Sequence, residues 1–357
     1  MEGLEQVNAL PRSPDAPLRV LILSDGRPGH FNQSKGVLRA LQFHHRIETE
    51  WCELHLRSAA LRPILTGLLN YSPKVPDPAR LGFFYQVDQL PHPTPDLIVS
   101  AGGNTLHANA WLARAFSCRN LFIGDPRKLG PHCFWRVLTY RERQPSPPFI
   151  HWEITPVPIL PEEITAEGQR FREAEALHGA PLWTLLIGGD GGGYRYQRED
   201  WEHLIAGMRR LSARHGIRWL TVTSRRSGDI VESMLATLEH DPMIARLSLY
   251  TRDRGARYRD FLGAGDRVVA TEDSHMMLTE AISAGRPVLS LRPREARPDW
   301  TNQLFFDSYS REGYLQRAAI VELEDDQFDW TPTDQTFQSP LRELGQQLSR
   351  WLQTEAA

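Results

Sequence analysis

An aspartate and a histidine follow the first apolar run of this chain closely. Residues 18–23 (LRVLIL) end at Ser24-Asp25-Gly26, and Gly29-His30 comes shortly after them. A histidine can remove a proton from a hydroxyl group near neutral pH, although a lone loop histidine is more often solvated or structural. We take Asp25 and His30 as the candidate catalytic residues, one of which deprotonates or orients an acceptor hydroxyl.

A later segment, residues 271–289, has the features of an anion-binding helix start. We expect Asp273 or Ser274 to cap the helix, so that the backbone N–H groups behind the cap point toward an anion. Glu280 follows at roughly 9 Å along the helix axis from Ser274, where its carboxylate could accept hydrogen bonds from ribose hydroxyls. The alternative is a plain capped helix with a solvated Glu280.

A glycine-rich segment precedes it, residues 188–196 (GGDGGGYRY). One turn does not need so many glycines, so we expect backbone that passes close to a ligand or to another domain. Tyr194 and Tyr196 could stack on a base or sugar, with Arg195 facing a phosphate. The segment matches neither a Walker loop nor GxGxxG, and a flexible surface hairpin is the alternative.

Two groups of candidate binding residues follow from these strand ends. Ser224, Arg225 and Arg226 suit phosphate binding, or equally a helix start with solvated arginines. The predicted nucleotide-binding set is Gly188, Gly189, Tyr194, Arg195, Ser224, Arg225, Arg226, Glu272, Asp273, Ser274, His275, Met276 and Glu280. The predicted acceptor-side set is Gly26, Gly29, Asn32, Gln33, Gly102, Gly103, Asn104, Asp125 and Arg127.

Composition excludes several other classes of protein. The net charge of -3 gives no attraction to nucleic acid, and no apolar run reaches the roughly 18 residues of a membrane helix. Cys52, Cys118 and Cys133 suit neither a disulfide framework nor a zinc knuckle. His107 and His132 lack partners at metal-ligand spacing, so we expect no metal site and no cofactor. A cytoplasmic protein is expected, with attachment to a membrane surface left open.

The elements between these residues predict an α/β fold with two Rossmann-like domains. Short apolar runs that stop at turn residues suit strands of a covered parallel sheet. They occupy residues 18–23, 96–100, 120–123, 183–187, 219–223, 267–270 and 287–291. Helical patterns lie between them at 33–43, 106–116, 200–215, 228–238 and 274–284. Strand, turn and helix repeated in both halves are typical of doubly wound domains.

The proline-rich passage 144–161 separates the two halves, because such a density of proline excludes a central strand or a helix interior. We predict a disordered tail at 1–17, a first domain at 18–150 and a second domain at 151–310, to which the resemblance described below assigns the acceptor side and the nucleotide-sugar side. A C-terminal segment at 311–357 completes the chain. In it, residues 341–352 form an amphipathic helix with leucines on one stripe.

Several motifs together resemble the plant "elongated mitochondria" fission-factor family and its bacterial relatives, which are labelled a domain of unknown function or a nucleoside-diphosphate-sugar epimerase. SDGRPGHFNQSKG, SAGGNT, IGDPR, LLIGGDGGGYRY, TVTSRRS and TEDSHMMLTEAISAGRPV occur in the family's order, across residues 19–291. One departure is Asp190-Gly191-Gly192-Gly193, which stands where relatives usually carry a Pro-Ser-Lys type loop. A phosphate contact by that lysine is therefore not expected here.

More distantly, the layout is similar to GT-B glycosyltransferases and UDP-N-acetylglucosamine 2-epimerases. That resemblance implies two Rossmann-like domains facing each other across a cleft, and a last helix that crosses back to the first domain. Gly29-His30 resembles the glycine–histidine loop of the lipid-linked N-acetylglucosaminyl transferase of cell-wall synthesis. Ser274 and Glu280 fall where that superfamily binds diphosphate and ribose.

The resemblance implies metal-independent transfer of a sugar from a nucleotide-diphosphate donor to an unknown acceptor, lipid-linked or glycan-linked. Two other interpretations stay open. One is a sugar-nucleotide epimerase or hydrolase that uses the same donor pocket. The other is a non-catalytic scaffold, as the fission role of the plant proteins implies.

Overall fold

The computed structural model describes residues 16–87, 95–140, 146–325, 327–328, 330 and 339–354. Its contacts divide the chain into two units. The first unit runs to Pro158 and also includes the last helix, from Pro340, while the second runs from Ile159 to Ser339. The first unit therefore extends past the expected boundary at residue 150, and the residues after 310 belong to the second unit as far as Ser339. Most of the expected tail lies outside the described residues.

A seven-stranded sheet forms the centre of the first unit, in the order β3-β2-β1-β4-β5-β6-β7. All neighbouring pairs are parallel except β2 with β3. The strands are β1 (Leu18–Ser24), β2 (Ile47–Leu56), β3 (Tyr85–Val87), β4 (Leu97–Ala101), β5 (Arg119–Ile123), β6 (Arg136–Thr139) and β7 (Phe149–His151). The central strands β1 and β4 are almost wholly buried, as their apolar runs predict.

Three helices of the first unit precede its boundary at Pro158, namely α1 (Pro28–Leu41), α2 (Arg62–Tyr71) and α3 (Leu106–Phe116). Short 3₁₀ turns occupy Ala59–Leu61, Pro78–Phe83 and Pro131–Cys133. Helix α3 has the predicted bounds, but α1 begins at Pro28 and not at residue 33. Proline suits the first helical turn because its φ is already helical and no N–H is lost there. His30 therefore lies in the first turn of α1, and its assignment to a loop is wrong.

The second unit contains a six-stranded parallel sheet in the order β11-β10-β8-β12-β13-β15. Its strands are β8 (Leu182–Ile187), β10 (Arg218–Thr223), β11 (Ile244–Ser248), β12 (Arg267–Thr271), β13 (Val288–Arg292) and β15 (Gln316–Ala319). A separate antiparallel pair joins β9 (Tyr194–Arg195) to β14 (Glu295–Ala296). Each predicted strand is present, with small shifts at its ends.

The helices of this unit are α4 (Pro161–Ala174), α5 (Arg198–His215), α6 (Gly228–Ala236), α7 (Tyr250–Asp253), α8 (Tyr258–Ala264), α9 (His275–Ser283) and α10 (Trp300–Arg311). A 3₁₀ turn, Ile320–Glu324, packs against α5. In the described ranges of the chain, none of the helices combines the length and the apolar character needed to cross a membrane.

The last helix, α11 (Pro340–Thr354), packs on α1 of the first unit. Its leucine stripe at 341, 344, 348 and 352 is buried, because these positions recur on one helical face. The two helices approach so closely at Gly345 that any Cβ there would collide with the backbone carbonyl of Ala40. A hydrogen bond of 3.0 Å between His45 Nε2 and Ser349 Oγ joins the same surfaces.

We expect Gly345→Ala to lower the free energy of unfolding of the first unit by about 1–3 kcal/mol, since the added methyl forces two packed helices apart. Urea titration followed by circular dichroism measures this. Gly67→Ala is the matched control in α2, where a Cβ meets no atom within 4 Å. Its effect should be neutral or stabilising by up to about 1 kcal/mol. Equal losses in both variants would contradict the close contact.

Candidate functional site

Each sheet has one point where its strand order reverses direction. In the first sheet β2 and β4 lie on opposite sides of β1, and in the second sheet β10 and β12 lie on opposite sides of β8. The loops that leave two such neighbouring strands separate there, which opens a crevice at their carboxyl ends. Asp25 and Gly102 follow β1 and β4, while Gly188 and Glu272 follow β8 and β12. The predicted residues therefore fall at the switch point of each sheet.

Asp25 and His30 are directly hydrogen-bonded to one another. The His30 Nδ1 lies 2.9 Å from Asp25 Oδ1 and 3.1 Å from Oδ2, so the ring donates to the carboxylate. The Asp25 side chain is only 1% exposed, whereas the His30 side chain is 25% exposed. With Nδ1 held in this way, Nε2 is the nitrogen left to accept a proton. The structure joins the two candidates into one pair.

A chain of hydrogen bonds through Asn104 holds the Asp25–His30 pair in position. Asn104 donates from Nδ2 to Asp25 Oδ2 at 3.0 Å and accepts at Oδ1 from the guanidinium of Arg62 at 2.9 Å. The hydroxyl of Tyr85 donates to the Asn104 carbonyl at 2.9 Å. Asn104 was predicted only as an acceptor-side residue, and Arg62 was missed because nothing in its sequence surroundings marks it. Arg62 comes within hydrogen-bond distance of Asn104 only because α2 packs beside the end of β4 in the folded protein.

Two glycines after β4 lie close to side chains of other elements. Gly102 has φ +83°, and a Cβ at this position would collide with the His30 ring. A Cβ on Gly103 would meet the Arg127 guanidinium. Gly102 is thus favoured both by its positive φ and by the close His30 ring, whereas at Gly103 the flexible, exposed Arg127 side chain could move aside. The remaining acceptor-side candidates lie on the same edge of the sheet, on the β1–α1 turn, in α1 and after β5: Gly26, Gly29, Asn32, Gln33 and Asp125.

His107 is a structural residue of the same unit. It is buried in α3, and its Nε2 pairs with the Thr66 hydroxyl at 2.9 Å. Burial, followed by the charges of Arg62 and Arg127, lowers the pKa of His107 to about 4. The imidazole is therefore neutral in the folded protein at neutral pH.

This pKa predicts a loss of stability on acidification. Below about pH 6.5 the unfolded chain protonates His107 and the folded chain does not, so the free energy of unfolding falls until about pH 4. The loss should total up to about 3 kcal/mol, at 1.36 kcal/mol per pKa unit. Urea titrations across this range should show a shallower pH slope for His107→Gln, while the exposed His132→Gln keeps the wild-type slope. Equal slopes in all three proteins would contradict the assignment.

Asp273 organises the second switch point from inside the protein. Its side chain is 0% exposed and pairs with the Arg226 guanidinium at 2.6 Å. It also accepts from the Gly189 N–H and from the Tyr196 hydroxyl, each at 3.0 Å. Burial raises the pKa of Asp273, and the charge of Arg226 opposes that rise. Ser274 is the N-cap residue of α9, as one of the two expected alternatives has it, but its side chain makes no capping hydrogen bond. Asp273 turns toward the glycine loop instead.

The glycine loop is packed against other parts of its own unit. The Gly188 N–H donates to the Thr271 hydroxyl at 2.7 Å, and that of Gly189 donates to Asp273. A Cβ on Gly189 would collide with the backbone of Arg226, and one on Gly193 with that of Arg297. The amides of Gly188 and Gly189 therefore serve the fold and are not available to a diphosphate. Gly189 and Gly193 are therefore explained by close contact with backbone of their own unit, and not by contact with a ligand.

Tyr194, Tyr196 and Glu272 are also internal. Tyr196 stacks on Trp201 at 4.6 Å, and Tyr194 is buried with its hydroxyl 3.0 Å from Glu272 Oε1. Arg317 binds both oxygens of Glu272, at 2.7 and 2.8 Å. Buried carboxylates need such partners, so Glu272 forms an internal ion pair. The expectation that the tyrosines stack on a base or sugar is wrong, because both rings are covered by their own unit.

The residues that remain accessible lie on the outer side of this switch point. Arg195 and Arg225 are exposed, and the Arg226 side chain is 37% exposed. Ser224, Ser274, His275 and Met276 are half-buried, and the first turn of α9 contains no acidic residue. A helix N-terminus whose first turn carries no acidic residue favours an anion, and the neighbouring Asp273 is buried and paired with Arg226. Glu280, however, is not solvated, because it is 8% exposed and accepts from the Tyr258 hydroxyl at 2.6 Å.

Within the described ranges of the chain, no three His, Cys, Asp or Glu side chains come together as metal ligands would. The features that do converge are a histidine oriented by a carboxylate at one switch point, and arginines beside a helix N-terminus at the other. The first suits proton transfer, and the second suits binding of an anion.

Two Rossmann-like domains with parallel sheets define a protein of the GT-B fold class. Residues 28–343 match the family described as "Mitochondrial fission ELM1", and the chain belongs to that family. No curated protein sequence matches it.

Several solved structures are similar to this chain at low sequence identity. A candidate UDP-N-acetylglucosamine 2-epimerase from Listeria monocytogenes is 13% identical, with a TM-score of 0.55 over 95% of this chain and 97% of that one. UDP-GlcNAc 2-epimerase from Methanocaldococcus jannaschii is 11% identical, with a TM-score of 0.52 over 94% and 99%. MurG from Acinetobacter baumannii is 14% identical, with a TM-score of 0.47 over 95% and 93%.

Proposed function

We propose that this protein transfers a sugar from a nucleotide-diphosphate donor to the hydroxyl group of an acceptor. The observation that carries the proposal is the His30 ring, held by the buried Asp25 at the switch point of the first sheet. The fold is shared with proteins named for UDP-N-acetylglucosamine, which supports a sugar nucleotide as the donor. Gly102 and Asn104, two of the predicted acceptor-side residues, lie next to this pair.

In the proposed reaction, Nε2 of His30 accepts the proton of the acceptor hydroxyl. The acceptor oxygen forms a bond to the anomeric carbon, and the bond from that carbon to the diphosphate oxygen breaks. The nucleoside diphosphate leaves with the bonding electron pair. Asp25 keeps the ring oriented and stabilises the imidazolium that forms. No metal is required in this scheme, because fixed dipoles and arginines can stabilise the leaving-group charge.

The donor would bind at the second switch point through the groups that are accessible there. Arg225 and the outer face of Arg226 would contact the diphosphate, together with the N-terminus of α9. Gly188, Gly189, Asp273 and Glu272 would act indirectly, by holding the loop and Arg226 in place. Glu280 would reach a ribose hydroxyl while it keeps its hydrogen bond to Tyr258.

We expect UDP or ADP to raise the melting temperature of the protein, since a ligand of the folded state stabilises it by roughly 2.7 kcal/mol at a hundredfold excess over its dissociation constant. Arg225→Ala should reduce this shift at equal ligand concentration, because it removes an accessible cation. The exposed Arg198→Ala, in another helix of the same unit, should keep it. A shift that Arg225→Ala leaves unchanged would contradict this donor site.

We expect His30→Ala to lower the rate of nucleoside-diphosphate release from a sugar nucleotide by about 10²- to 10⁴-fold, because the general base is lost. Asp25→Asn should also lower it, since the ring loses the carboxylate that orients it. His132→Ala is the control. The assay monitors the release of UDP from UDP-N-acetylglucosamine, with and without hydroxyl-bearing acceptors.

The same assay distinguishes the other interpretations. An epimerase or hydrolase would isomerise or release the sugar without any acceptor. A scaffold would show no turnover, and its function would tolerate His30→Ala and Glu280→Ala. Either result would exclude the proposed transfer.

A further inference from the structure

Helix α2 has apolar side chains on an exposed face as well as on its buried face. Leu65 and Leu69 are buried in the core of the first unit. Ile64, Leu68 and Tyr71 recur at helical spacing on the outer face, where they are 54%, 40% and 84% exposed. The helix needs only the inner face for folding. Its outer face is therefore an apolar surface that the described parts of the unit leave open.

The segment that follows α2 extends this apolar surface. Val75 is 67% exposed and Phe83 is 76% exposed, at the end of the Pro78–Phe83 turn. That turn and α2 both pack on α3, so both lie on one side of the unit. We call the residues Ile64, Leu68, Tyr71, Val75 and Phe83 the α2 surface. Clustering of this kind, unlike scattered exposed residues, marks a site of interaction.

The charge around the α2 surface is opposite to that of the whole protein. Residues 57–87 contain four basic residues and one acidic residue, Asp77, in a chain of net charge -3. Arg57, Lys74 and Arg80 are exposed among them. Lys128 is also exposed. It lies next to the same helix, because its backbone carbonyl accepts a hydrogen bond from Asn70 Nδ2 at 2.9 Å. Two of the three lysines in the chain, Lys74 and Lys128, thus lie next to this surface.

We propose that the α2 surface binds an anionic phospholipid membrane. Its apolar side chains would enter the interfacial region, and the surrounding lysines and arginines would contact lipid phosphates. A second copy of the chain fits less well, because a twofold contact through this surface would bring its basic residues close to one another. An anionic lipid layer supplies both the apolar phase and the opposite charge.

This surface lies close to the catalytic pair. Arg62, the first residue of α2, donates to Asn104, which in turn donates to Asp25. If the proposed transfer holds, an acceptor hydroxyl on a lipid headgroup would be presented near His30. The membrane binding itself does not rest on that activity.

Vesicle co-sedimentation of the full-length protein tests the proposal. Wild type should bind phosphatidylcholine vesicles that contain phosphatidylglycerol, and should bind pure phosphatidylcholine vesicles at least about tenfold more weakly. Tyr71→Ser combined with Phe83→Ser should lower partitioning at least about tenfold, because the inserted side chains are lost. Lys74→Gln should lower it about fivefold. The control, Ile230→Ser combined with Val321→Ser, removes exposed apolar residues of the second unit and should bind like wild type.

Circular dichroism of each variant shows whether a loss of vesicle binding reflects unfolding. Because the substituted side chains are exposed, we expect the fold to be retained. His30→Ala should bind vesicles like wild type, which separates this proposal from the enzymatic one. Equal binding to both kinds of vesicle, or equal binding by wild type and the double serine variant, would overturn the proposal. So would a dimer in sedimentation velocity that dissociates in the double serine variant while vesicles are not bound.

Discussion

Both candidate sites depend on the burial of one carboxylate at the point where a sheet reverses its strand order. Taking an ionised carboxylate out of water is costly unless donors reach its oxygens. Asp25 and Asp273 satisfy this requirement with groups from several elements. Each aspartate thereby fixes the relative positions of those elements. The need of each buried carboxylate for hydrogen-bond donors thus determines how the neighbouring loops and side chains are arranged.

The two carboxylates have different effects because their partners differ. Asp25 holds one nitrogen of an imidazole and leaves the second, so its burial orients a group that can take part in proton transfer. Asp273 holds Arg226, Tyr196 and the amide of Gly189, so its burial mainly stiffens a loop. The accessible arginines beside that loop, Arg225 and Arg226, are therefore attached to a rigid segment of backbone. The first unit thus orients a histidine, and the second unit exposes positively charged arginines.

The sequence predicted the central strands of both sheets, because a buried parallel strand is recognisable as an apolar run that ends in turn residues. It missed strands such as β2 and β11, whose polar or exposed positions interrupt the apolar run. It also placed Asp25, His30 and the glycine loop at the correct strand ends. Side-chain direction could not be predicted, since Tyr194 turns inward to donate to Glu272 and Asp273 turns inward to pair with Arg226. Helix α2 was missed because apolar residues on both faces obscure its periodicity.

The last helix belongs to the first unit although the whole second unit precedes it in the chain. During synthesis on the ribosome, the second unit can fold completely while the face of α1 that receives α11 is still uncovered. The first unit thus closes last, and its apolar α1 face is open to chaperones or to aggregation until then. Loss of the final helix would leave the second unit intact and trap the first in that open state.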